Sequence, residues 1–358
     1  MKNVLLIIAS FAGGGAERVT VNLANALSEK YNVCVVTLFS NPDDYYPCER
    51  VKVLKYGDYL ERFNKRGMKL IRKLHHGYFP RLLWVRGIKK RFRPDATISM
   101  LEVPNLINAL TPCGDFRIVS ERADPSVIGG RYQKSIMRSA MLADHTVFQS
   151  RRVQHMFPRK VQKKSSIILN PVSVMTEAAD HHDKRIVTAG RLTEQKNHKM
   201  LIRAFSRFLP DHSDYILEIY GKGKLKDELN ELARQLGAAE SVRICDFAPD
   251  LHERISSAEM FVLSSDFEGL SNALLEAMMA GLPCISTDCA GSDEVIENMQ
   301  NGILVPVGDE DALLKAMTAM ADDEELRSRI AENGKRTSVR FRTDTVIAQW
   351  IDLIESNT

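Results

Sequence analysis

The sequence predicts an α/β protein made of two doubly wound parallel sheets, and three observations carry that expectation. At 358 residues the chain exceeds what one hydrophobic core usually organises. Short runs rich in β-branched residues alternate with helical patterns along its length. The alternation stops once, near Asn170, and then begins again.

The opening "MKNVLLIIASFAGGGAERVTVNLANALSEKY" imitates a secretory leader, with one Lys, an apolar run from Val4 to Ala9 and small residues from Ala12 to Ala16. The residues behind the glycines argue otherwise. Val19, Leu23, Ala26 and Leu27 recur at helical spacing, while Glu17, Arg18, Asn22, Asn25 and Ser28 fill the other faces. A buried strand, a glycine turn and a helix make half of a βαβ unit, which reads as a cytoplasmic protein. "NVCVVTLF", "RVKVLKY", "ATISM", "FRIVSE" and "HTVFQS" supply further strands of the first half. The second half restarts with "RIVTAGR", "YILEIYG", "SVRICDF", "MFVLSS", "LPCISTD" and "GILVPV". Between the two lies "ILNPVSVMTEAADHHDKR", whose Asn170-Pro171 step and polar composition mark a linker. His181 and His182 within it have no further ligands nearby and read as solvated rather than metal-binding.

The composition is that of an ordinary globular protein. Its six cysteines form no CxxC pair, so a disulfide framework and structural zinc lack support. No apolar run approaches the roughly 18 to 20 residues of a spanning helix, so any membrane contact is expected to be peripheral. The net charge of +3 hides a polarity: residues 1–170 hold 29 Lys and Arg against 13 Asp and Glu, and the remainder 20 against 33. The first half is therefore expected to meet something anionic. The charge concentrates in residues 62–94, "RFNKRGMKLIRKLHHGYFPRLLWVRGIKKRFRP", with twelve cations and no acid. Leu70, Ile71, Leu74, Leu82, Leu83, Trp84, Val85 and Ile88 are interleaved with them. That is the pattern of a segment lying on an anionic bilayer. The alternative is an ordinary core face with a solvated exterior. No nucleic-acid-binding signature accompanies the charge.

Three stretches carry chemistry. "AGRLTEQKNHKMLIRAF" runs from a strand end into a helix and places Gly190, Arg191 and Lys196 in the loop between, suited to clamping a diphosphate. "IYGKGKLKDEL" repeats the logic with Gly221 and Gly223, without Walker A spacing. "SSDFEGLSNALLEAMMAGLPCISTDCAGSDEVI" sets Glu268 in a loop and Glu276 eight residues on, inside the next helix. Amides of Gly269, Leu270, Ser271 and Asn272 suit phosphate or sugar hydroxyls, and a carboxylate can receive two vicinal hydroxyls. Taken singly, Glu268 reads rather as a helix cap and Glu276 as a surface ion-pair member. Asp309-Glu310-Asp311 is explained by capping, so no metal site is expected. Gly13-Gly14-Gly15 lacks the Gly-x-Gly-x-x-Gly spacing of dinucleotide enzymes.

In this order over nearly the whole chain, the glycine loop, the Gly-Arg and Lys loop and the paired glutamates resemble glycosyltransferase family 4. The resemblance implies the GT-B fold, two Rossmann-like domains facing each other across a cleft, and retaining transfer from a nucleotide sugar. It implies an acceptor-binding domain over residues 1–170, a donor-binding domain over 171–340 and a helix at 341–358 packing back toward the first. Arg191 and Lys196 would then stabilise the leaving diphosphate, Glu276 would hold the ribose, and Glu268 with the amides of Gly269 to Asn272 the donor sugar. Gly15, Gly190 and Gly221 would lie by the donor. Gly13, Gly14, Glu121, Lys69, Arg72 and Lys73 would lie by the acceptor. Many relatives place a His after the strand matching "FRIVSE", whereas "SERADPS" offers Glu121, Arg122 and Asp124. Arg122 can donate hydrogen bonds there but cannot act as a base near neutral pH.

The expected activity is hexosyl transfer from a donor, UDP-hexose or UDP-N-acetylhexosamine, to a hydroxyl of a polyprenyl-diphosphate-linked saccharide in envelope glycan assembly. The expected place is the inner face of the cell membrane, by peripheral contact and without nucleic acid, metal or cofactor. A GT-B nucleotide-sugar epimerase and a non-catalytic sugar-nucleotide or membrane-binding protein are the alternatives.

Overall fold

The computed structural model describes residues 1–12, 14–40, 47–65, 77–122, 124–127, 129–172, 183–246 and 254–358. Gly13, Lys69, Leu70, Ile71, Arg72, Lys73, Leu74, His181 and His182 lie outside them. The chain divides into two compact units, Met1–Pro171 with Asp344–Thr358, and Val172–Thr343.

The first unit contains β1 (Asn3–Ile8), β2 (Asn32–Thr37), β3 (Lys52–Lys55), β4 (Ala96–Met100), β5 (Phe116–Ser120), β6 (His145–Phe148) and β7 (Ser165–Ile167), in the spatial order β3-β2-β1-β4-β5-β6-β7. Every described pairing in it is parallel. The opening apolar run is the central strand, with Leu5, Ile7 and Ile8 fully buried, as a strand covered on both faces requires. The glycine loop leads into the helix Gly15–Leu27, whose Val19, Leu23 and Leu27 face the core.

The helix Tyr78–Phe92 corrects part of the sequence reading. Val85 and Ile88 join Leu5, Ile7, Cys34 and Val36 in the core, with Trp84 packed against them. Trp84 also meets Tyr56 edge-on at 5.1 Å between ring centroids. Two of the segment's cations are buried as well. Lys89 Nζ donates to Asp115 Oδ2 at 2.7 Å and to Asn108 Oδ1 at 2.8 Å. Arg81 donates to the Leu38 and Gly77 carbonyls and lies over the rings of Phe39 and Tyr56. What faces outward is the stripe Phe79, Leu83, Arg86 and Lys90, spaced four, three and four residues apart on one helix face.

The second unit contains β8 (Asp183–Ala189), β9 (Ile216–Tyr220), β10 (Val242–Cys245), β11 (Ala258–Leu263), β12 (Cys284–Thr287) and β13 (Ile303–Val305), ordered β10-β9-β8-β11-β12-β13. It too is parallel throughout its described pairings. Both sheets reverse strand order at one point, between β1 and β4 in the first and between β8 and β11 in the second. The crevice outside the carboxyl ends of the strands at such a point is where doubly wound sheets bind ligands.

The chain re-enters the first unit through the helix Thr343–Glu355. Glu355 anchors it, accepting from Lys2 Nζ at 2.6 Å, Tyr31 Oη at 2.8 Å and Lys30 Nζ at 3.0 Å. All six cysteines are free thiols. Asp309 caps the helix Glu310–Asp322 through Ala312 N, and no cluster of metal-ligating side chains occurs among the described residues. Nor is any described helix long and apolar enough to cross a membrane.

Candidate active site

The loops after β8 and β11 meet at the switch point of the second sheet, because the two strands are neighbours. The loop after β8 leaves through Gly190 and Arg191, makes a short turn of helix at Glu194–Lys196 and enters the helix His198–Phe208 at Asn197. Asn197 sits in the left-handed region at φ 45° and caps that helix through its side-chain oxygen, a conformation asparagine tolerates better than most residues.

Hydrogen bonds stitch this loop to the one after β11. Asp266 N donates to the Gln195 carbonyl at 2.9 Å. Gln195 Nε2 donates to the Phe267 carbonyl at 3.0 Å, Asn197 Nδ2 to Asp266 Oδ1 at 2.7 Å, and Ser264 Oγ to the Lys196 carbonyl at 2.9 Å. The result brings Lys196 Nζ to 2.5 Å from Glu268 Oε1, each side chain only 11% exposed. Ser265 Oγ donates to the same carboxylate oxygen at 2.8 Å. Arg191 stands at the exposed rim, with Nη2 3.2 Å from Gln195 Oε1.

Two glycines make the approach of these loops possible. A Cβ on Gly221 would lie 1.9 Å from the Gly190 carbonyl oxygen, so the loop after β9 packs on the Arg191 loop only without a side chain there. Gly291 has φ 92°, and a Cβ on it would lie 2.0 Å from the Gly269 carbonyl oxygen.

Glu276 is the fifth residue of the helix Asn272–Ala280 and is 7% exposed, so it is not the surface ion-pair member that a lone glutamate suggests. Glu268 does not cap the helix either. Ser271 does, its Oγ accepting from Leu274 N. Leu270 is buried beside it.

His198, two residues past Lys196, is 2% exposed, and its ring lies near the Arg191 backbone, a contact that favours the protonated form but is outweighed by burial. Burial pushes its pKa down to about 3, with the Lys196 charge adding to the effect.

In the first unit the loop after β1 ends at Gly14, in ordinary extended conformation, and Gly15 is the first helical residue. After β4, its neighbour across the switch point, Leu101 adopts φ 75° and ψ 160°, a region otherwise populated almost only by glycine and costing of order 1–3 kcal/mol. After β5, Glu121 and Arg122 are both buried. Arg122 Nε donates to Ser120 Oγ at 3.1 Å and its Nη1 to Asn170 Oδ1, while Nη2 has no partner among the described residues.

Residues 175–337 match the family Glycosyl transferases group 1. The matched residues include Arg191, Lys196, Glu268 and Glu276. Over 99% of this chain and 98% of its own length, the N-acetylgalactosaminyltransferase of Campylobacter jejuni that extends a GalNAc-containing diNAcBac-PP-undecaprenol is 24% identical. An exopolysaccharide phosphotransferase of Streptomyces coelicolor is 27% identical over 72% of this chain, which spans only 28% of that protein. Among solved structures, Anabaena HepE in complex with UDP and glucose superposes with a TM-score of 0.81 over 99% of this chain and 100% of its own, at 16% identity. The apo lipopolysaccharide outer core galactosyltransferase WaaB gives 0.78 over 100% of both chains, at 20% identity. The fold is GT-B.

Of the residues that hold the loops after β8 and β11 together, Gln195, Asn197, Ser264 and Ser265 carry no mark in the sequence. A polar residue in a loop has no periodicity to reveal it. Leu101 gives no signal at all, since a leucine after a strand predicts nothing about φ.

Proposed function

We propose that this chain is a retaining hexosyltransferase of glycosyltransferase family 4 that takes a sugar from a UDP-linked donor to a hydroxyl of a polyprenyl-diphosphate-linked saccharide. The observation that carries the reading is the Lys196–Glu268 pair at the switch point, with Arg191 at its rim and Glu276 on the adjoining helix. Cations at that position stabilise the charge that grows on the departing diphosphate, which is where a preorganised charge accelerates transfer most. Glu268 orients the sugar hydroxyls and Glu276 those of the ribose. Both carboxylates are assigned to donor hydroxyls, which leaves neither as a nucleophile, so departure and attack take place on one face of the sugar. Metal and cofactor have no assigned role.

The bound UDP and glucose of the Anabaena structure support a UDP-linked donor, and the names of two Campylobacter relatives support an undecaprenyl-diphosphate acceptor. The acceptor's lipid brings the protein to the inner face of the cell membrane. The exposed stripe Phe79, Leu83, Arg86 and Lys90 supports peripheral contact, pairing insertable side chains with cations for anionic headgroups.

The test is incubation with UDP-N-acetylgalactosamine, UDP-N-acetylglucosamine, UDP-glucose and UDP-galactose, each with a short polyprenyl-diphosphate saccharide ending in N-acetylgalactosamine. Mass increase of the acceptor by one sugar, with an α-linkage by NMR, supports the reading. UDP release without a glycosylated product, or epimerised donor, overturns it.

A further inference from the structure

Arg122 stands where the family resemblance leads one to expect a residue facing the reacting sugar, yet two of its three guanidinium nitrogens are engaged by the protein. Nε binds Oγ of Ser120, the last residue of β5, at 3.1 Å, and Nη1 binds Asn170 Oδ1. That same oxygen accepts from Gln149 Nε2 at 2.5 Å. Ser120, Gln149 and Asn170 lie at or just past the carboxyl ends of β5, β6 and β7, and are buried along with Arg122. The third nitrogen, Nη2, is itself buried. Beyond Arg122 the backbone is stiffened further, since Asp124 Oδ1 accepts from Ser126 N at 2.8 Å and Ser126 Oγ at 2.6 Å, an Asx-type turn.

We propose that Arg122 is a positioning residue that acts through Asn170, locking the carboxyl ends of β5, β6 and β7 into one frame so that Glu121, at the end of β5, is presented to the substrate in a single geometry. The planar fork explains the choice of residue. Two acceptors, Ser120 Oγ and Asn170 Oδ1, are met from two different nitrogens of one rigid plane, which a lysine ammonium, a single donor atom on a flexible stem, does not offer. Burial lowers the pKa of Arg122 to about 10 against the opposing influence of Glu121, so the side chain remains a charged, five-donor clamp near neutral pH. Asn170 also precedes Pro171, where the chain leaves the first unit, so the clamp fixes that departure as well.

The role rests on the transferase reading, and the test separates the two. Arg122→Ala, Asn170→Ala and the double variant are compared for kcat and donor KM with UDP-N-acetylgalactosamine and the polyprenyl-diphosphate saccharide. Asn170→Asp, which keeps the accepting oxygen, and Arg122→His, which restores the residue of many relatives, are included. Each alanine variant should lower kcat by about tenfold to a hundredfold, the loss expected when loop atoms shift by about 1 Å. The donor KM should stay within about twofold, because the donor loops belong to the other unit. The double variant should lose no more than the worse single one, the signature of one shared device. Asn170→Asp should retain at least about a third of wild-type kcat, and Arg122→His should behave like Arg122→Ala. Near-normal kcat in Asn170→Ala beside a crippled Arg122→Ala, additive losses in the double variant, or rescue by Arg122→His would overturn the proposal and make Arg122 a substrate contact. Should Arg122→Ala fail to fold, the contrast between Asn170→Ala and Asn170→Asp decides alone. Absence of sugar transfer by the wild type would sink the transferase reading, and this role with it.

Discussion

Lys196 Nζ lies 2.5 Å from Glu268 Oε1, so the cation proposed for a diphosphate is held by the carboxylate proposed for a sugar. An incoming phosphate must share Lys196 with Glu268, and charge-assisted contacts of this kind are strong enough for the competition to be measurable. Lys196→Ala should lower turnover at least about tenfold and weaken UDP binding. Glu268→Gln removes the competing charge while keeping an accepting oxygen for Lys196 and Ser265. It should bind UDP more tightly, by up to about tenfold, yet turn over slowly. Calorimetric titration with UDP decides, and weaker binding by Glu268→Gln would show that the pair is not competitive.

The two glutamates should separate in steady-state kinetics. Glu276, buried on its helix, makes its proposed ribose contact alike in ground and transition states, so Glu276→Gln should raise the donor KM more than it lowers kcat. For Glu268→Gln the loss should fall on kcat. Identical profiles would remove the basis for giving them different roles.

Glycine replacement offers a test with an internal control. Gly221→Ala puts a methyl group 1.9 Å from the Gly190 carbonyl, which can be relieved only by moving the Arg191 loop, so UDP affinity should fall about tenfold or more. Gly87 lies inside the helix Tyr78–Phe92, where an added methyl group would meet no atom within 4 Å. Gly87→Ala should stabilise the protein by about 0.5–1 kcal/mol and leave donor affinity unchanged. Equal UDP affinities for the two variants would disconnect loop spacing from donor binding.

His198 predicts an acid limb to stability. Its folded pKa is held at about 3 by burial and by Lys196, against about 6.5 for an unfolded histidine. Between those values the unfolded chain takes up a proton that the folded chain refuses. Stability therefore rises with pH across this window and is lost as pH falls from about 6.5 toward 3, at no more than about 1.4 kcal/mol per pH unit from this group. His198→Phe should flatten the dependence of the urea midpoint between pH 7 and 4. It should not abolish it, because His145 is likewise held near 4 by burial and Lys164. An unchanged slope would mean that His198 is protonated in the folded protein.

The strands and the donor loops are legible in the sequence because both are local patterns. A buried parallel strand is a short run of β-branched residues, and all twelve such runs in the sequence form strands. The thirteenth, β7, is three residues at a sheet edge, none of them fully buried, too short for any period to register. Arg191 and Lys196 are legible as cations in the loop behind one strand, and Glu268 and Glu276 as carboxylates in the loop and helix behind another. Arg122 is legible as a departure from the expected residue, but its engagement with Asn170, 48 residues away, is tertiary and leaves no local trace. The same limit applies to Lys89, whose partner Asp115 lies in the turn before β5.

Lys89 and Lys90 are adjacent in sequence and opposite in fate, which gives the membrane reading its sharpest test. Lys89 is fully buried against a fully buried Asp115, and Thr97 Oγ1, Asn108 and Cys113 N complete the network around the pair. Removing one partner leaves an uncompensated buried charge, so Lys89→Met should destabilise the first unit by about 3–5 kcal/mol. Lys90 is exposed on the stripe with Phe79, Leu83 and Arg86. Changing Lys90 and Arg86 together to Gln should leave the urea midpoint nearly unmoved, since surface substitutions usually stay within about 0.5 kcal/mol. Each cation near an anionic surface contributes on the order of 1 kcal/mol, so partitioning onto phosphatidylserine-containing vesicles at low salt should fall about thirtyfold. Phe79→Ser with Leu83→Ser should weaken it further and remain effective at high salt, where charge is screened and the apolar contribution persists. Sedimentation with vesicles across a salt series reads both effects. Equal partitioning of the wild type and the Arg86, Lys90 variant at low salt would leave the stripe as an ordinary solvated face.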